Sequence, residues 1–136
     1  MLSRRIFTAC GLCSALGLVA TAVEAGAQTA PPPGVVRKIL GTTEYPGENK
    51  VAILMTIEVP PNAVIGLHTH PGIESSVVME GEIELDIAGQ PTRRLKAGEG
   101  FQMAPGVPHG GRNGPNASRI AATFIVEKDK PLASPA

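Results

Sequence analysis

NAVIGLHTHPGIESSVVMEGEIELDIA, residues 62–88, holds the pattern from which the architecture of this chain is read. Its second half alternates. Ile83, Leu85 and Ile87 fall between Glu82, Glu84 and Asp86, the signature of a strand with one face buried and the other in water. Residues 73–80 read as another strand, and Gly81 between the two predicts a tight hairpin in which the glycine takes a positive φ. Upstream, His68-Thr69-His70 spaces two imidazoles so that, on a strand, both project to the same side. Pro71-Gly72 then turns the chain, which lets Glu74 come back toward them.

Working outward, short segments and turn residues alternate along the chain. Residues 35–40 and 51–59 are strand candidates, the latter with Val51, Ile53, Met55, Ile57 and Val59 on one face and Pro60-Pro61-Asn62 at its end. Gly89-Gln90-Pro91 marks a turn before residues 92–96, and residues 96–100 mark another before the brief apolar run 101–104. Pro105-Gly106-Val107-Pro108 suits neither a helix nor a central strand. Residues 119–127 form the last strand candidate, and residues 128–136 read as a polar, Pro-containing tail. Sixteen Gly and thirteen Pro in 136 residues, with no sustained 3.6-residue period, predict an all-β sandwich or barrel over residues 35–127.

Residues 1–27 are set apart as an export signal. Arg4 and Arg5 give a charged start, residues 6–23 are apolar and uncharged, and Ala25 and Ala27 provide the small residues that predict cleavage before Gln28. Ser3-Arg4-Arg5-Ile6-Phe7 resembles the twin-arginine export motif, with Thr8-Ala9 where Leu-Lys often follows; an ordinary Sec signal is the alternative. The apolar stretch is diluted by Gly, Ser, Thr and Cys, so cleavage is expected to leave no membrane anchor and a periplasmic or secreted protein. Residues 28–34, with three consecutive prolines, read as an extended leader. Both cysteines, Cys10 and Cys13, fall within the signal, which excludes disulfides, thiol nucleophiles and cysteine metal ligands from the mature chain. Ten basic and eleven acidic residues would remain, a balance that argues against a nucleic-acid partner, as do the scarce aromatics.

Only three histidines occur: His68, His70 and His109. With Glu74 they make a plausible divalent-metal set, nitrogen and oxygen donors that leave coordination positions for water or substrate. Taken singly, each residue is more often structural, His68 and His70 as exposed loop residues and Glu74 as a solvated acid. Their joint spacing is what raises the metal reading.

At these residues the sequence resembles the cupins. The first cupin motif is matched by His68, His70, Glu74 and Gly81, with Asn62 where an opening glycine is usual. The second is matched by Gly98, Gly106, His109 and Asn113, with Ala104 in place of a proline that here stands one position later, as Pro105. The resemblance implies a small antiparallel double-stranded β-helix, or jelly-roll barrel, that encloses a metal held by His68, His70, Glu74 and His109. It also implies a habit of pairing into homodimers. Among cupins, dioxygenases, isomerases, decarboxylases and lyases use such a site. Fe or Mn is favoured on the donor set, with Zn, Ni or Cu as alternatives.

Glu74 is read either as a metal ligand or as a base beside the metal. Asn113 is expected to fix a turn rather than touch a ligand. Met55, Val77, Met79, Phe101, Met103 and Phe124 are candidates for the barrel interior. Gly110 and Gly111 either leave the mouth of the site uncrowded or lend flexibility. Of the arginines near these segments, Arg93 and Arg94 read as a solvated face, while Arg112, close to His109, is the candidate to meet a carboxylate substrate. No Ser, Cys or Lys nucleophile and no phosphate loop stands in a recognisable setting. The functional readings are therefore a metal-dependent enzyme acting on a small organic molecule, a non-catalytic metal- or small-ligand-binding cupin, and a barrel whose metal is structural.

Overall fold

The computed structural model describes residues 30–136; the export signal expected over residues 1–27, with Cys10 and Cys13, lies outside the described residues. Among the described residues there is no helix, as the missing 3.6-residue period predicts. The strands are β1 (Val36–Glu44), β2 (Lys50–Val59), β3 (Val64–Thr69), β4 (Gly72–Glu80), β5 (Glu82–Ile87), β6 (Arg93–Lys96), β7 (Gly100–Met103), β8 (His109–Arg112), β9 (Ser118–Glu127) and β10 (Ser134–Pro135). They form two five-stranded sheets, β1-β2-β9-β4-β7 and β10-β3-β8-β5-β6, antiparallel throughout. This is the expected all-β jelly roll.

Period-two burial builds the interior. In β9, Ser118, Ile120, Ala122, Phe124 and Val126 are buried at every second position, as a strand between β2 and β4 requires. In β5, Ile83, Leu85 and Ile87 are buried, while outward-facing Glu84 accepts from Arg94 at 3.1 Å and from Arg112 at 2.6 Å. Two apolar clusters result. One centres on Val59, Val78, Ile83, Leu85 and Ile120, the other on Met55, Ala122, Phe124, Val126 and Leu132.

The predicted hairpin at Gly81 is not there. β4 pairs with β9 and β7, and β5 pairs with β6 and β8, so Gly81 carries the chain from one sheet to the other. The glycine does take a positive φ of 75°, and a Cβ there would lie 2.4 Å from the Ala117 carbonyl oxygen, so the corner is tightly packed. In a two-sheet roll, neighbours in sequence need not be neighbours in a sheet. Asn62, the departure from the motif's opening glycine, has φ of 58°, a left-handed conformation that asparagine tolerates better than most residues. The departure therefore preserves the turn.

Two interior assignments are corrected. Val77 and Met79 are exposed, because β4 buries Glu74, Ser76 and Val78 and so turns the odd-numbered residues outward. Met55, Met103 and Phe124 are buried as expected, and Phe101 is half-buried. Residues 128–136 are more than a polar tail. Leu132 and Ala133 are buried, and β10 pairs with β3 at Ser134↔Thr69 and Pro135↔His68. Short β8 was not foreseen either. Gly110 and Gly111 are buried within it, where a Cβ would meet the Ile65 carbonyl oxygen at 2.5 Å or that of Glu84 at 2.7 Å. Close strand approach, rather than flexibility, is what these glycines serve.

Gly72 provides a test of this packing. It sits opposite Val126 in the β4–β9 ladder, and a Cβ there would fall 2.0 Å from the Ile125 carbonyl oxygen, a backbone atom. Gly72→Ala should destabilise the domain by about 1–3 kcal/mol or more in denaturant unfolding. Gly41→Ala, with nothing within 4 Å of the added methyl, should change stability by less than about 0.5 kcal/mol. Equal effects would contradict the β4–β9 register.

Candidate metal centre

Four segments deliver the site. His68 lies in β3 directly opposite His109, the first residue of β8. His70 stands one residue beyond the end of β3, where the chain crosses toward the other sheet, and Glu74 projects inward from β4. Imidazole centroids lie 4.5 Å apart for His68–His109, 4.9 Å for His68–His70 and 5.2 Å for His70–His109. One nitrogen from each ring falls within 4.8 Å of the other two, so a small inward closing lets a single ion with bonds of about 2.0–2.1 Å reach all three. His70, Glu74 and His109 are buried, and His68 is partly so.

The backbone sets the histidine tautomers. In each ring Nδ1–H is placed to donate to a carbonyl: His68 to Gly66 at 2.9 Å, His70 to Leu132 at 2.5 Å and His109 to Val107 at 2.9 Å. With Nδ1 occupied in this way, the neutral ring carries its lone pair on Nε2, the arrangement that metal-binding histidines use. His70 Nε2 is buried without a hydrogen-bond partner; Glu74 Oε2 is 3.1 Å away but poorly aligned. A buried acceptor left unsatisfied costs about 1–3 kcal/mol, which a bound cation would offset. The donor set therefore fits a divalent metal.

Glu74 stands beside this cluster. Its Oε2 lies 3.0 Å from His109 Nε2, which donates to it when the His109 ring is protonated and turns its lone pair to a metal when the ring is neutral. Its Oε1 accepts from the Ser76 hydroxyl at 2.6 Å. Burial opposes ionisation of Glu74, but the hydrogen bonds from His109 and Ser76 and the neighbouring His70 imidazole prevail and hold its pKa well below the usual carboxylate range. Burial likewise disfavours the His109 cation, yet the Glu74 carboxylate and the Val107 carbonyl outweigh it and raise that pKa. For His68 burial dominates and lowers the pKa, only partly opposed by the Gly66 hydrogen bond, which keeps its lone pair available near neutrality.

The site opens into a cavity of about 60 Å³ lined by members of both apolar clusters, among them Met55, Leu85, Ile120 and Phe124, together with half-buried Phe101. Arg112, the sequence candidate for a substrate carboxylate, is not part of it. Its side chain lies outside and pairs with Glu84 and Asp86, because Gly111, not Arg112, faces inward from β8. The cation that does line the cavity is Arg37, which the sequence reading passed over. Its position two residues after buried Val35, in the inward register of β1, was the available signal. Asn113 fixes a turn as expected, with Nδ2 donating to the carbonyls of Val59 at 2.8 Å and Pro60 at 3.2 Å.

Two antiparallel five-stranded sheets closed around a histidine cluster define a double-stranded β-helix barrel with a candidate metal centre. The family model for the cupin domain matches residues 55–125, and the chain belongs to that family. A Bacillus subtilis protein named H2HPP isomerase is 29% identical over 92 residues, which make up 67% of this chain and 39% of that protein. The chain thus spans about two-fifths of that relative's length. Among solved structures, a cupin-like protein from Thermotoga maritima superposes with a TM-score of 0.64 at 24% identity, covering 83% of this chain and 86% of its own. A DMSP lyase from Ruegeria pomeroyi gives the same TM-score, 0.64, at 19% identity over 75% of this chain and 51% of its own. Both likenesses concern the fold.

The Glu74–His109 pair sets a pH signature for metal-stripped protein. A depressed carboxyl pKa stabilises fully above the unfolded value of 4.5 and less as pH falls toward the folded value. A raised imidazole pKa stabilises fully below the unfolded value of 6.5 and less as pH rises through the folded one. Wild type minus Glu74→Gln should therefore show its greatest stability difference between pH 4.5 and 6.5 in thermal melts. A difference that does not vary with pH would contradict the pairing.

Proposed function

We propose that the protein is a metal-dependent enzyme acting on a small organic molecule, with one divalent transition metal held by Nε2 of His68, His70 and His109. The observation that carries this reading is the convergence of three Nε2 atoms whose rings are each anchored from behind by a backbone carbonyl. Nitrogen and oxygen donors without thiolate suit Fe(II) or Mn(II), with Zn, Ni or Cu as alternatives. Such an ion, when bound, supplies Lewis acidity and open positions for substrate.

The remaining roles belong to the chain. Ser76 holds one oxygen of Glu74, leaving Oε2 to serve as a fourth ligand or to accept a proton. Phe101, Phe124 and Met55 exclude water and so strengthen electrostatic contacts in the cavity. Among isomerase, lyase and dioxygenase chemistry, the name of the Bacillus subtilis relative supports the isomerase type. Export by the signal over residues 1–27 would place this activity in the periplasm or outside the cell. Exposed Leu54, Ile73, Val77 and Met79 on the outer face of the β1–β7 sheet support pairing into a homodimer.

A second reading is a non-catalytic periplasmic cupin that binds metal or a small ligand; the small cavity favours it. Nitric oxide added to anaerobic Fe(II)-loaded protein separates the two. The enzyme reading predicts an iron–nitrosyl signal in electron paramagnetic resonance, and a centre that ignores nitric oxide would contradict it. Chelation should leave the β-sheet circular dichroism intact, whereas unfolding on chelation would make the metal structural.

A further inference from the structure

The cavity contains one cation for which the metal reading has no use. Arg37 points inward from β1, opposite Ile57, in the same row as buried Val35. An aliphatic side chain would continue that row. The guanidinium is instead partly buried with no hydrogen bond or ion pair among the described residues, and the charge that acts on it is that of Glu74. Burial accordingly lowers its pKa from the ordinary arginine value. Three other arginines lie outside the cavity and are paired there: Arg94 and Arg112 with Glu84, and Arg119 with Glu80.

Its position matters as much as its lack of a partner. Arg37, Ile65 and His68 line both the inner cavity and an outer groove walled by Pro32, Leu67 and Ser134. They therefore stand where the groove meets the histidine cluster. An anion entering from the groove reaches the guanidinium on its way to the site.

We infer that Arg37 is the recognition group for substrate, and that the site takes a small carboxylate whose anionic end pairs with Arg37 while its apolar remainder faces the histidines. This deepens the proposed function and rests on the cavity being the ligand site. The planar guanidinium fork matches a carboxylate with two parallel hydrogen bonds. The rest of the lining is dominated by aliphatic and aromatic side chains, which suits an apolar body. A cavity of about 60 Å³, against about 10–15 Å³ for one water, admits only a few heavy atoms and excludes nucleotides and sugar phosphates.

The test uses propionate, its neutral isostere propionamide and inorganic phosphate, titrated calorimetrically into metal-free and Mn(II)-loaded protein. Wild type should bind propionate at least about tenfold more tightly than propionamide or phosphate. Arg37→Met should reduce propionate to the level of propionamide, and Arg37→Lys, which keeps the charge but not the fork, should fall between. The proposal is overturned if propionate binds Arg37→Met as well as wild type, if propionamide or phosphate equals propionate, or if wild type binds no propionate in either form. Circular dichroism and Mn(II) content of Arg37→Met should match wild type. If wild type takes up no Mn(II), manganese is excluded as the metal, and the metal-free titration still decides the role of Arg37.

Discussion

Each of the three imidazoles is held from behind by a backbone carbonyl, and the site depends on those three hydrogen bonds. The acceptors are Gly66 within β3, Val107 in the turn before β8 and Leu132 in the C-terminal segment. Each bond contributes only about 1 kcal/mol to stability. Their larger effect is on direction, because an occupied Nδ1 leaves Nε2 to carry the lone pair toward the centre. The folded chain thereby accepts a buried, unsatisfied nitrogen on His70, a cost that makes sense as preparation for a cation.

The jelly roll makes this arrangement available to a short chain. His68 and His109 face each other across one sheet, Glu74 reaches in from the other, and His70 lies on the crossing between them. Burial in β4 alternates, so placing Glu74 inward also places Ser76 beneath it, where the hydroxyl orients the carboxylate. The C-terminal segment closes the structure by pairing β10 with β3 and bringing the Leu132 carbonyl to His70. One end of the chain thus helps to orient a ligand residue 62 positions earlier.

Much of this was legible in residues 62–88. Alternation in β5 and the turn residues around it announce an all-β fold, and His68-Thr69-His70 with Glu74 announces the site. What escaped reading was non-local. Strand pairing across Gly81 depends on which sheet each strand joins, and period-two patterning does not record that choice. Val77 and Met79 looked internal because they are apolar, although counting from an inward Glu74 sends both outward. β8 is only four residues long and contains two glycines, so its sequence carries no strand signal. Arg37 was overlooked because an arginine on a strand normally faces solvent; its inward register appears only once β1 is paired with β2.

The central claim is that the three histidines hold a metal ion. Elemental analysis of the protein, purified from its own host and set beside His70→Ala, tests it most directly. The account predicts about one equivalent of a divalent transition metal per chain in the wild type and its loss in a folded His70→Ala variant. Wild-type protein without stoichiometric metal, or a His70→Ala variant that keeps it, would contradict the account.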